Sequence, residues 1–399
     1  MKILILHRIP YHKIDYHLGI NHNKHSVFYI GLESSLSSIP SELNCHKIIR
    51  NTEITYLDQV ISLSKEVNGF DDIISLSEYE LLEAAQLRDF LSIGDKNSFS
   101  RAMLVRDKVL MKEECAKNNI KIPVVFNLKM FYENKSYREN ILSKFNKLIL
   151  KPRSGASSEG VSIIDSKSSE SKIKSIKNIE DFELEEFIEG SIFHVDGIVN
   201  NGNILRCVSS KYINTCFDYA YNKLPLGSVQ QYSDITNREW IQKIICALKI
   251  NEGSFHLEWI LRGNEAIFLE IANRVGGADV VETFQRKTKI HLPSAELALR
   301  VGEKYTSDFS HSYESENFYG WFVYPGHIYN ESRIKIDGFS KFVESKLLIN
   351  YNKLSNKTSK NMTYQAYEVP LSGVVVGKSP DEVRTFIENI FYDVNIQPI

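Results

Sequence analysis

The sequence predicts a mixed fold that opens with a parallel α/β unit and continues with strand-loop-strand segments. Runs 3–6, 27–30 and 73–76 are short, apolar and β-prone, and apolar residues recur at helical spacing over 78–91. Strands that alternate with helices are typical of a parallel sheet, so residues 1–95 are predicted to form a small Rossmann-like domain. Because no G-x-G-x-x-G follows the first strand, we assign it no dinucleotide.

Length and composition indicate a multidomain globular protein. The chain has 399 residues, 43% of them hydrophobic and 25% charged, which predicts two to three domains with real cores. Its 48 Lys and Arg residues nearly balance its 50 Asp and Glu residues, and the net charge is −2. This balance argues against a nucleic-acid partner bound through a broad basic surface, but it leaves room for a local phosphate site.

The cysteines and the apolar runs predict a cytoplasmic location. The five cysteines are an odd number without a C-x-x-C pair, which argues against a disulfide framework and favours a reducing compartment. The N-terminal MKILILHRIP has too short an apolar run for a signal peptide, and no stretch approaches 18 apolar residues. We therefore expect a cytoplasmic protein with no membrane partner.

Further elements are predicted after residue 95. Good helix formers predict one helix over 101–118, a second helical pattern covers 293–302, and a C-terminal helix is expected over 381–390. Strands are predicted at 124–128, 147–151, 161–164, 184–188 and 193–199, with a hairpin of 254–261 and 266–272 around Gly263-Asn264.

A loop of small residues between two predicted strands is a candidate phosphate site. It runs from Arg153 to Gly160 with the sequence RSGASSEG, and Lys151 ends the strand before it. Small residues let backbone N–H groups approach phosphate oxygens closely, while the lysine adds a point charge. The alternative is an ordinary hairpin loop, and the motif is not a Walker A sequence.

Glu258 and Glu270 are the candidate metal ligands. If the hairpin turn centres on Asn264, the two glutamates lie directly opposite each other on one face, where like charges weaken a hairpin. A bound Mg²⁺ would remove that penalty, since it prefers oxygen ligands from one or two carboxylates plus nucleotide phosphates. Asn273 follows three residues later and could add a carbonyl oxygen. Two solvent-facing glutamates are the alternative, which the apolar neighbours of both residues disfavour.

Three more features extend this candidate site. Arg274 precedes Val275-Gly276-Gly277, where its guanidinium could bind a carboxylate or a phosphoryl oxygen bidentately. The segment 184–188 resembles any edge strand, and its backbone groups could meet an adenine. The five histidines in the first 25 residues lack the spacing of a metal site, although some of them could line a substrate cleft.

Taken in order, these elements resemble the ATP-grasp superfamily of carboxylate–amine ligases over residues 1–300. The ordered set is Arg106-Asp107-Lys108, Lys151-Pro152 with its loop, Glu185-Glu186-Phe187-Ile188, and then Glu258, Glu270, Asn273 and Arg274. The resemblance implies an α/β and α+β architecture, the ATP-grasp fold. It would comprise an N-terminal Rossmann-like pre-ATP-grasp domain (1–95), a small lid subdomain with linker helices (96–190) and a larger subdomain with a C-terminal extension (191–399). ATP would lie between the two α+β subdomains.

The resemblance also implies how the chain would hold ATP. Lys108 and Lys151 correspond to the two lysines on the ATP phosphates. The hinge, whose backbone meets the adenine, corresponds to Glu185, Glu186, Phe187 and Ile188. The mobile loop over the γ-phosphate corresponds to the segment that contains Ser154, Gly155, Ala156, Ser157 and Ser158. The glutamate that binds the ribose in many relatives is absent after the hinge, and Glu189 or Asp196 is the candidate to replace it.

By the same resemblance, Glu258, Glu270 and Asn273 correspond to the Mg²⁺ ligands, with Mn²⁺ as an alternative ion. Arg274 corresponds to the arginine that steadies an acyl phosphate, so Arg274 and Lys151 are the implied catalytic residues. In this chemistry ATP phosphorylates a carboxylate and an amine then attacks the acyl phosphate. No nucleophilic side chain is required, which fits the absence of G-x-S-x-G.

The stretch EEFIEG-x-x-x-HVDG and the C-terminal region most resemble bacterial L-amino-acid ligases, which join two amino acids into a dipeptide. The implied partners are amino acids and ATP, and relatives are often homodimers. Two alternatives stay open: a ligase for another carboxylate or amine, for example bicarbonate or formate, and a nucleotide-binding protein without catalysis. Asp279 and Glu282 are candidates for binding a cationic substrate side chain.

Overall fold

The structure is a computed structural model that describes residues 1–94, 98–233, 237–305, 309, 314–330, 332–354 and 357–399. The predicted division between residues 95 and 96 lies outside these ranges. Within them, no helix combines the length and the apolar character needed to cross a membrane. All five cysteines are free.

The N-terminal unit is a parallel sheet of the predicted Rossmann-like kind. It contains β1 (Lys2–Leu6), β2 (Ser26–Gly31), β3 (His46–Ile49) and β4 (Asp72–Ile74), together with α1 (Tyr11–Ile14), α2 (Glu33–Leu36), α3 (Tyr56–Glu66) and α4 (Leu81–Leu91). The strand order is β3-β2-β1-β4, and every pair is parallel. Apolar clusters cover both faces of β1, which explains its continuous run of buried aliphatic residues.

The predicted single helix over 101–118 is two helices, α5 (Ser98–Leu104) and α6 (Lys108–Lys117). Asp107 causes the break, because its carboxylate accepts hydrogen bonds from the backbone N–H groups of Val109 (2.9 Å) and Leu110 (3.2 Å) as the cap of α6. An aspartate in this role ends one helix and starts another, although the surrounding residues favour helix throughout. The break places Lys108 in the first turn of α6.

A small antiparallel sheet follows. It contains β5 (Val125–Phe126), β6 (Leu148–Pro152), β7 (Ser162–Ile164) and β8 (Phe182–Glu186), with α7 (Leu128–Glu133), α8 (Lys135–Lys144) and α9 (Ser169–Lys174). Its order is β5-β8-β6-β7, so the segment predicted as an edge strand is central. The backbone N–H groups of Glu186 and Phe187 already donate to Val124 O (2.8 Å) and Lys147 O (3.4 Å). Among the backbone N–H groups of the predicted adenine-binding segment, those of Glu186 and Phe187 are therefore already engaged, which leaves the N–H group of Ile188.

The remaining chain builds one large antiparallel sheet in the order β13-β12-β9-β10-β11-β14-β17-β16. Its strands are β9 (Ser191–Asn200), β10 (Asn203–Ile213), β11 (Leu226–Gln230), β12 (Glu252–Arg262), β13 (Glu265–Ala272), β14 (Phe318–Val323), β16 (Leu348–Lys353) and β17 (Leu371–Gly377). The helices are α10 (Cys216–Tyr221), α11 (Arg238–Ala247), α12 (Val280–Thr288), α13 (Leu292–Arg300), α14 (Ser340–Val343) and α15 (Pro380–Asp393), while β15 (Ile334–Asp337) pairs with β18 (Asn395–Pro398).

The main core packs α5, α6 and α11 against one face of this sheet. Phe255 and Leu257 of β12 are fully buried in it, as are Phe268 and Ile271 of β13. Because side chains alternate along a strand, the residues between these core positions point to the opposite face. Glu258 and Glu270 therefore lie together on the face that is turned away from the core.

Candidate active site

The hairpin brings Glu258 and Glu270 opposite each other, as predicted, but its turn and its register differ from the predicted ones. The turn contains two residues, Gly263 and Asn264, so the pairs nearest to it run from Arg262–Glu265 to Trp259–Phe268. That register would place Glu258 beside Leu269. A bulge between Glu258 and Trp259 inserts one extra residue on β13 and restores the Glu258–Glu270 pair.

Each glutamate has a different partner. The hydroxyl of Tyr212 donates to Glu258 Oε1 (2.8 Å), whereas Lys108 Nζ lies 3.2 Å from Glu270 Oε2. Burial alone would raise the pKa of Glu270, but Lys108 and Lys151 lower it to about 2. Glu270 is thus ionised at neutral pH, and the two carboxylates offer further oxygen atoms to a cation.

Lys108 and Lys151 approach the glutamates from two elements. Lys108 Nζ also donates to Gly155 O (2.7 Å), so it links α6 to the small-residue loop. Lys151 Nζ lies 2.6 Å from Glu185 Oε1 and 3.6 Å from Glu183 Oε1. Burial opposes the charged form of Lys151, but Glu185 and Glu183 outweigh it and raise the lysine pKa. Lys151 therefore carries a positive charge.

Lys112 completes a buried charge cluster that the sequence analysis missed. Its ammonium lies 2.6 Å from Glu183 Oε1 and also contacts Glu185 Oε2, and its side chain is only 1% exposed. The cluster (Lys112, Lys151, Glu183 and Glu185) contains two cations and two anions, which offsets the cost of burying them. The sequence spacing could have indicated this cluster, because Lys112 lies one helical turn after Lys108 and Glu183 shares a face of β8 with Glu185.

The small-residue loop is held at its N-terminal end. Arg153 pairs with Asp107 (2.7 Å), and Arg106 donates to Ser154 O (2.7 Å). Ser157 and Ser158 have positive φ angles of 56° and 57°, a conformation that small polar residues tolerate better than branched ones. The loop thus turns tightly while its middle faces the glutamates.

Two connected cavities meet at Glu258 and Glu270. The small-sheet cavity, about 450 Å³, lies between the small and large sheets, and the N-terminal cavity, about 920 Å³, lies between the N-terminal unit and the large sheet. Of the predicted nucleotide-binding residues, those that line the small-sheet cavity are Lys108, Lys151, Gly155, Ala156, Ser158, Glu185, Glu186, Phe187 and Ile188. Ser157 lines only the N-terminal cavity, and Ser154 lines neither.

Asn273 does not join the two glutamates. It lies an odd number of positions after Glu270, which turns it to the other side of the strand, and its amide donates to Ser254 O (2.8 Å) and Glu252 O (3.2 Å). It lines neither cavity. The predicted ligand set is therefore corrected to Glu258 and Glu270.

Asp196, a candidate ribose ligand, is instead bound to two histidines. It is buried and accepts hydrogen bonds from His194 Nδ1 (2.6 Å) and His256 Nδ1 (2.8 Å), and it lines neither cavity. These three residues lie close enough to hold a metal ion, but each is engaged by the others or by Ser228, Tyr212 and Glu258. Burial would lower the pKa of His256, but Asp196 raises it to about 10. Glu189, the other candidate, does line the small-sheet cavity.

Arg274 joins the N-terminal unit to the large sheet. Its Nε donates to Glu78 Oε2 (2.7 Å), and Glu78 also pairs with Arg106. Burial opposes the charged form of Arg274, but Glu78 raises its pKa. Arg274 lines the N-terminal cavity together with both metal-ligand candidates. Glu78 lies 196 residues away in the chain, and no sequence pattern links it to Arg274.

Comparisons with known proteins relate part of this chain to a known domain family. Residues 105–278 match the family model described as ATP-grasp domain. An L-arginine-specific L-amino acid ligase of Bacillus subtilis is 26% identical over 266 residues, which cover 63% of this chain and 62% of that relative. The match thus spans less than two thirds of the relative's length.

Solved structures share the fold along the whole chain. An L-amino acid ligase from Bacillus licheniformis superposes with a TM-score of 0.72 at 17% identity, covering 100% of this chain and 98% of that one. A phosphoribosylglycinamide synthetase from Anaerococcus prevotii gives a TM-score of 0.67 at 17% identity, with coverage of 100% and 99%. At these identities the likeness establishes the fold alone.

Proposed function

We propose that the chain is an ADP-forming ligase that joins a carboxylate to an amine, on the basis of the match of residues 105–278 to the ATP-grasp domain model. We propose further that both substrates are L-amino acids and that the product is a dipeptide. One observation carries the proposal. Two facing carboxylates and two buried lysines stand where a nucleotide-sized cavity opens into a larger cavity that contains Arg274.

The small-sheet cavity is the proposed ATP site. Lys108 and Lys151 are positioned to bind phosphate oxygens, and the loop with Ala156 and Ser158 lies over the same space. Ile188 follows the end of β8, where backbone groups are no longer paired within the sheet and can meet the adenine edge. Glu189 is the proposed ribose ligand in place of Asp196.

Glu258 and Glu270 fit a divalent cation, since they present several carboxylate oxygens on one face of a hairpin. Mg²⁺, or Mn²⁺ in its place, would offset the negative charge that develops on the transferring phosphoryl group. Lys108 already contacts Glu270, so the lysine and the carboxylate pair can organise the triphosphate end of ATP together.

The proposed reaction has two steps. The carboxylate of one amino acid attacks the γ-phosphorus of ATP, the bond to the β-phosphate oxygen breaks, and ADP leaves. The amine of the second amino acid then attacks the acyl carbon of the acyl phosphate, loses a proton and releases phosphate. Arg274 and Lys151 provide fixed positive charges beside these oxygens, and the loop over the site limits attack by water.

The amino-acid substrates are proposed from two further findings. The 26% identical relative is described as an L-arginine-specific L-amino acid ligase, and the N-terminal cavity of about 920 Å³ has room for two amino acids. Polar side chains from the N-terminal unit and from α12 line this cavity.

The test is release of ADP from Mg·ATP with the twenty L-amino acids, singly and in pairs. We expect release that depends on particular amino acids, with the dipeptide detected by mass spectrometry. Release that needs bicarbonate, formate or another carboxylate would leave a ligase but overturn the dipeptide proposal. ATP binding without release under any of these conditions would support a nucleotide-binding protein without catalysis.

Glu270→Gln is the variant that tests the metal site within this assay. It should lower ADP release by roughly hundredfold or more, because it removes a charge needed during phosphoryl transfer, while the fold is kept. Glu265→Gln is the matched control, since Glu265 lies on the same strand but lines neither cavity. ADP release near the wild-type rate in Glu270→Gln would refute the proposal that Glu270 binds the metal ion.

A further inference from the structure

Two charged side chains that line the N-terminal cavity make no ion pair within the described part of the chain. Most of the cavity's acidic and basic residues are paired: Arg274 with Glu78, Glu270 with Lys108, Arg286 with Glu282 and Arg8 with Glu80. Asp279 and Lys13 differ. Neither makes an ion pair or a side-chain hydrogen bond with any residue in the described part of the chain.

Asp279 is placed where a carboxylate would normally bond to its own helix. It is the N-cap of α12, yet its side chain accepts no hydrogen bond from the first turn. The carboxylate instead lies in the wall of the cavity. Burial raises the pKa of Asp279 to about 6, and the charge of Lys13 only partly opposes that rise. A partly buried carboxylate without donors is unfavourable, and a cationic ligand would relieve this cost.

Lys13, in α1 of the N-terminal unit, lines the same cavity. Its closest described contact is the ring of Tyr367, whose centroid is 5.5 Å from Nζ. The cavity thus presents one anion and one cation that are not joined in an ion pair. Glu282, the other acidic candidate for a cationic side chain, is excluded because Arg286 (2.7 Å) and Asn350 (2.7 Å) already bond to it.

We propose that Asp279 binds a cationic nitrogen of an amino-acid substrate. We propose that Lys13 binds the carboxylate that is not phosphorylated, which is the carboxylate of the amino acid that supplies the amine. This inference rests on the proposed function and adds the residues that determine which substrates are accepted. The nitrogen is either an α-ammonium group or a side-chain ammonium or guanidinium group, since both have the same chemistry. Asp279 and Lys13 act in binding, and the phosphoryl transfer takes place beside Glu258 and Glu270.

The test is binding of the twenty L-amino acids to the full chain with Mg·ADP present, measured by titration calorimetry. Asp279→Asn should raise the Kd of each amino acid that the wild type binds by roughly tenfold or more, since a charge-assisted hydrogen bond is lost, and Lys13→Met should weaken binding similarly. The Kd for Mg·ADP itself should stay unchanged. Asp381→Asn is the matched control, because Asp381 stands in the first turn of α15 and lines neither cavity.

Three probes identify the source of the nitrogen. L-lysine has both cationic nitrogens, L-norleucine has only the α-ammonium group, and 6-aminohexanoate has only the distal one. If Asp279→Asn binds L-norleucine more weakly than the wild type does, Asp279 contacts the α-ammonium group. If the variant binds 6-aminohexanoate more weakly, Asp279 contacts the side-chain nitrogen. Equal affinities in wild type and Asp279→Asn, or no amino-acid binding at all, would overturn the inference. If ADP release in the panel fails while Asp279→Asn still weakens binding, then the proposed reaction fails and the binding site stands.

Discussion

Replacement of Lys112 by Met removes one cation from the buried charge cluster and keeps a side chain of similar length. Lys112 is the nearest cation to Glu183, at 2.6 Å, whereas Lys151 lies 3.6 Å from the same oxygen. Both glutamates are at most 3% exposed, so water cannot replace the lost ammonium. Breaking a buried ion pair by removing one partner costs about 3–5 kcal/mol, and we expect a loss of this size in the free energy of unfolding.

Equilibrium urea unfolding followed by circular dichroism measures this loss. The slope of unfolding free energy against urea is about 1–3 kcal/mol per molar for small proteins and rises with size, so the midpoint of this larger chain should fall by roughly 1 M. Lys117→Met is the control on the same helix: Lys117 is 68% exposed, its pair with Glu114 spans 3.3 Å, and its loss should cost less than about 0.5 kcal/mol. The double variant Lys112→Met/Glu183→Gln should regain at least half of the loss, because it restores the charge balance. A loss below about 1 kcal/mol for Lys112→Met would refute the view that this cluster holds α6 to the small sheet.

Two further predictions concern the cavities. Lys151→Ala should weaken ATP binding or turnover, because it removes the buried ammonium beside the loop; calorimetry and steady-state kinetics that both match the wild type would exclude Lys151 from the site. Asp279→Asn should stabilise the protein at neutral pH. The pKa of Asp279 is about 6 in the folded chain and about 3.9 when unfolded, so the stability that its protonation provides is present below pH 4 and is lost as the pH rises through 6. The variant should be more stable than the wild type by roughly 2–3 kcal/mol at pH 8 and equal to it near pH 4. A difference in unfolding free energy that does not change with pH would contradict the buried state of this carboxylate.

Local patterns were sufficient for elements whose cause is local. The alternation of apolar and polar residues in β12 and β13 predicts which face holds the core and which holds Glu258 and Glu270. The pairing of these glutamates was predicted correctly from an incorrect turn centre, because the bulge that compensates for the two-residue turn leaves no clear mark in the sequence. The helix break at Asp107 was missed for a related reason: helix-forming neighbours masked a capping residue.

The sequence by itself determined the α/β start, the hairpin with its facing carboxylates, the small-residue loop, and the lysines and arginine that resemble those of an ATP-grasp ligase. Only the tertiary structure decided which of these groups meet. It pairs Glu78 with Arg274 across 196 residues and Lys112 with Glu183 across 71, and it keeps Asn273 and Asp196 out of the cavities. It also places Asp279 and Lys13 in one cavity without an ion pair in the described part of the chain. The physical reason is that periodicity fixes the direction of a side chain on its own element, whereas its partner depends on how distant elements pack.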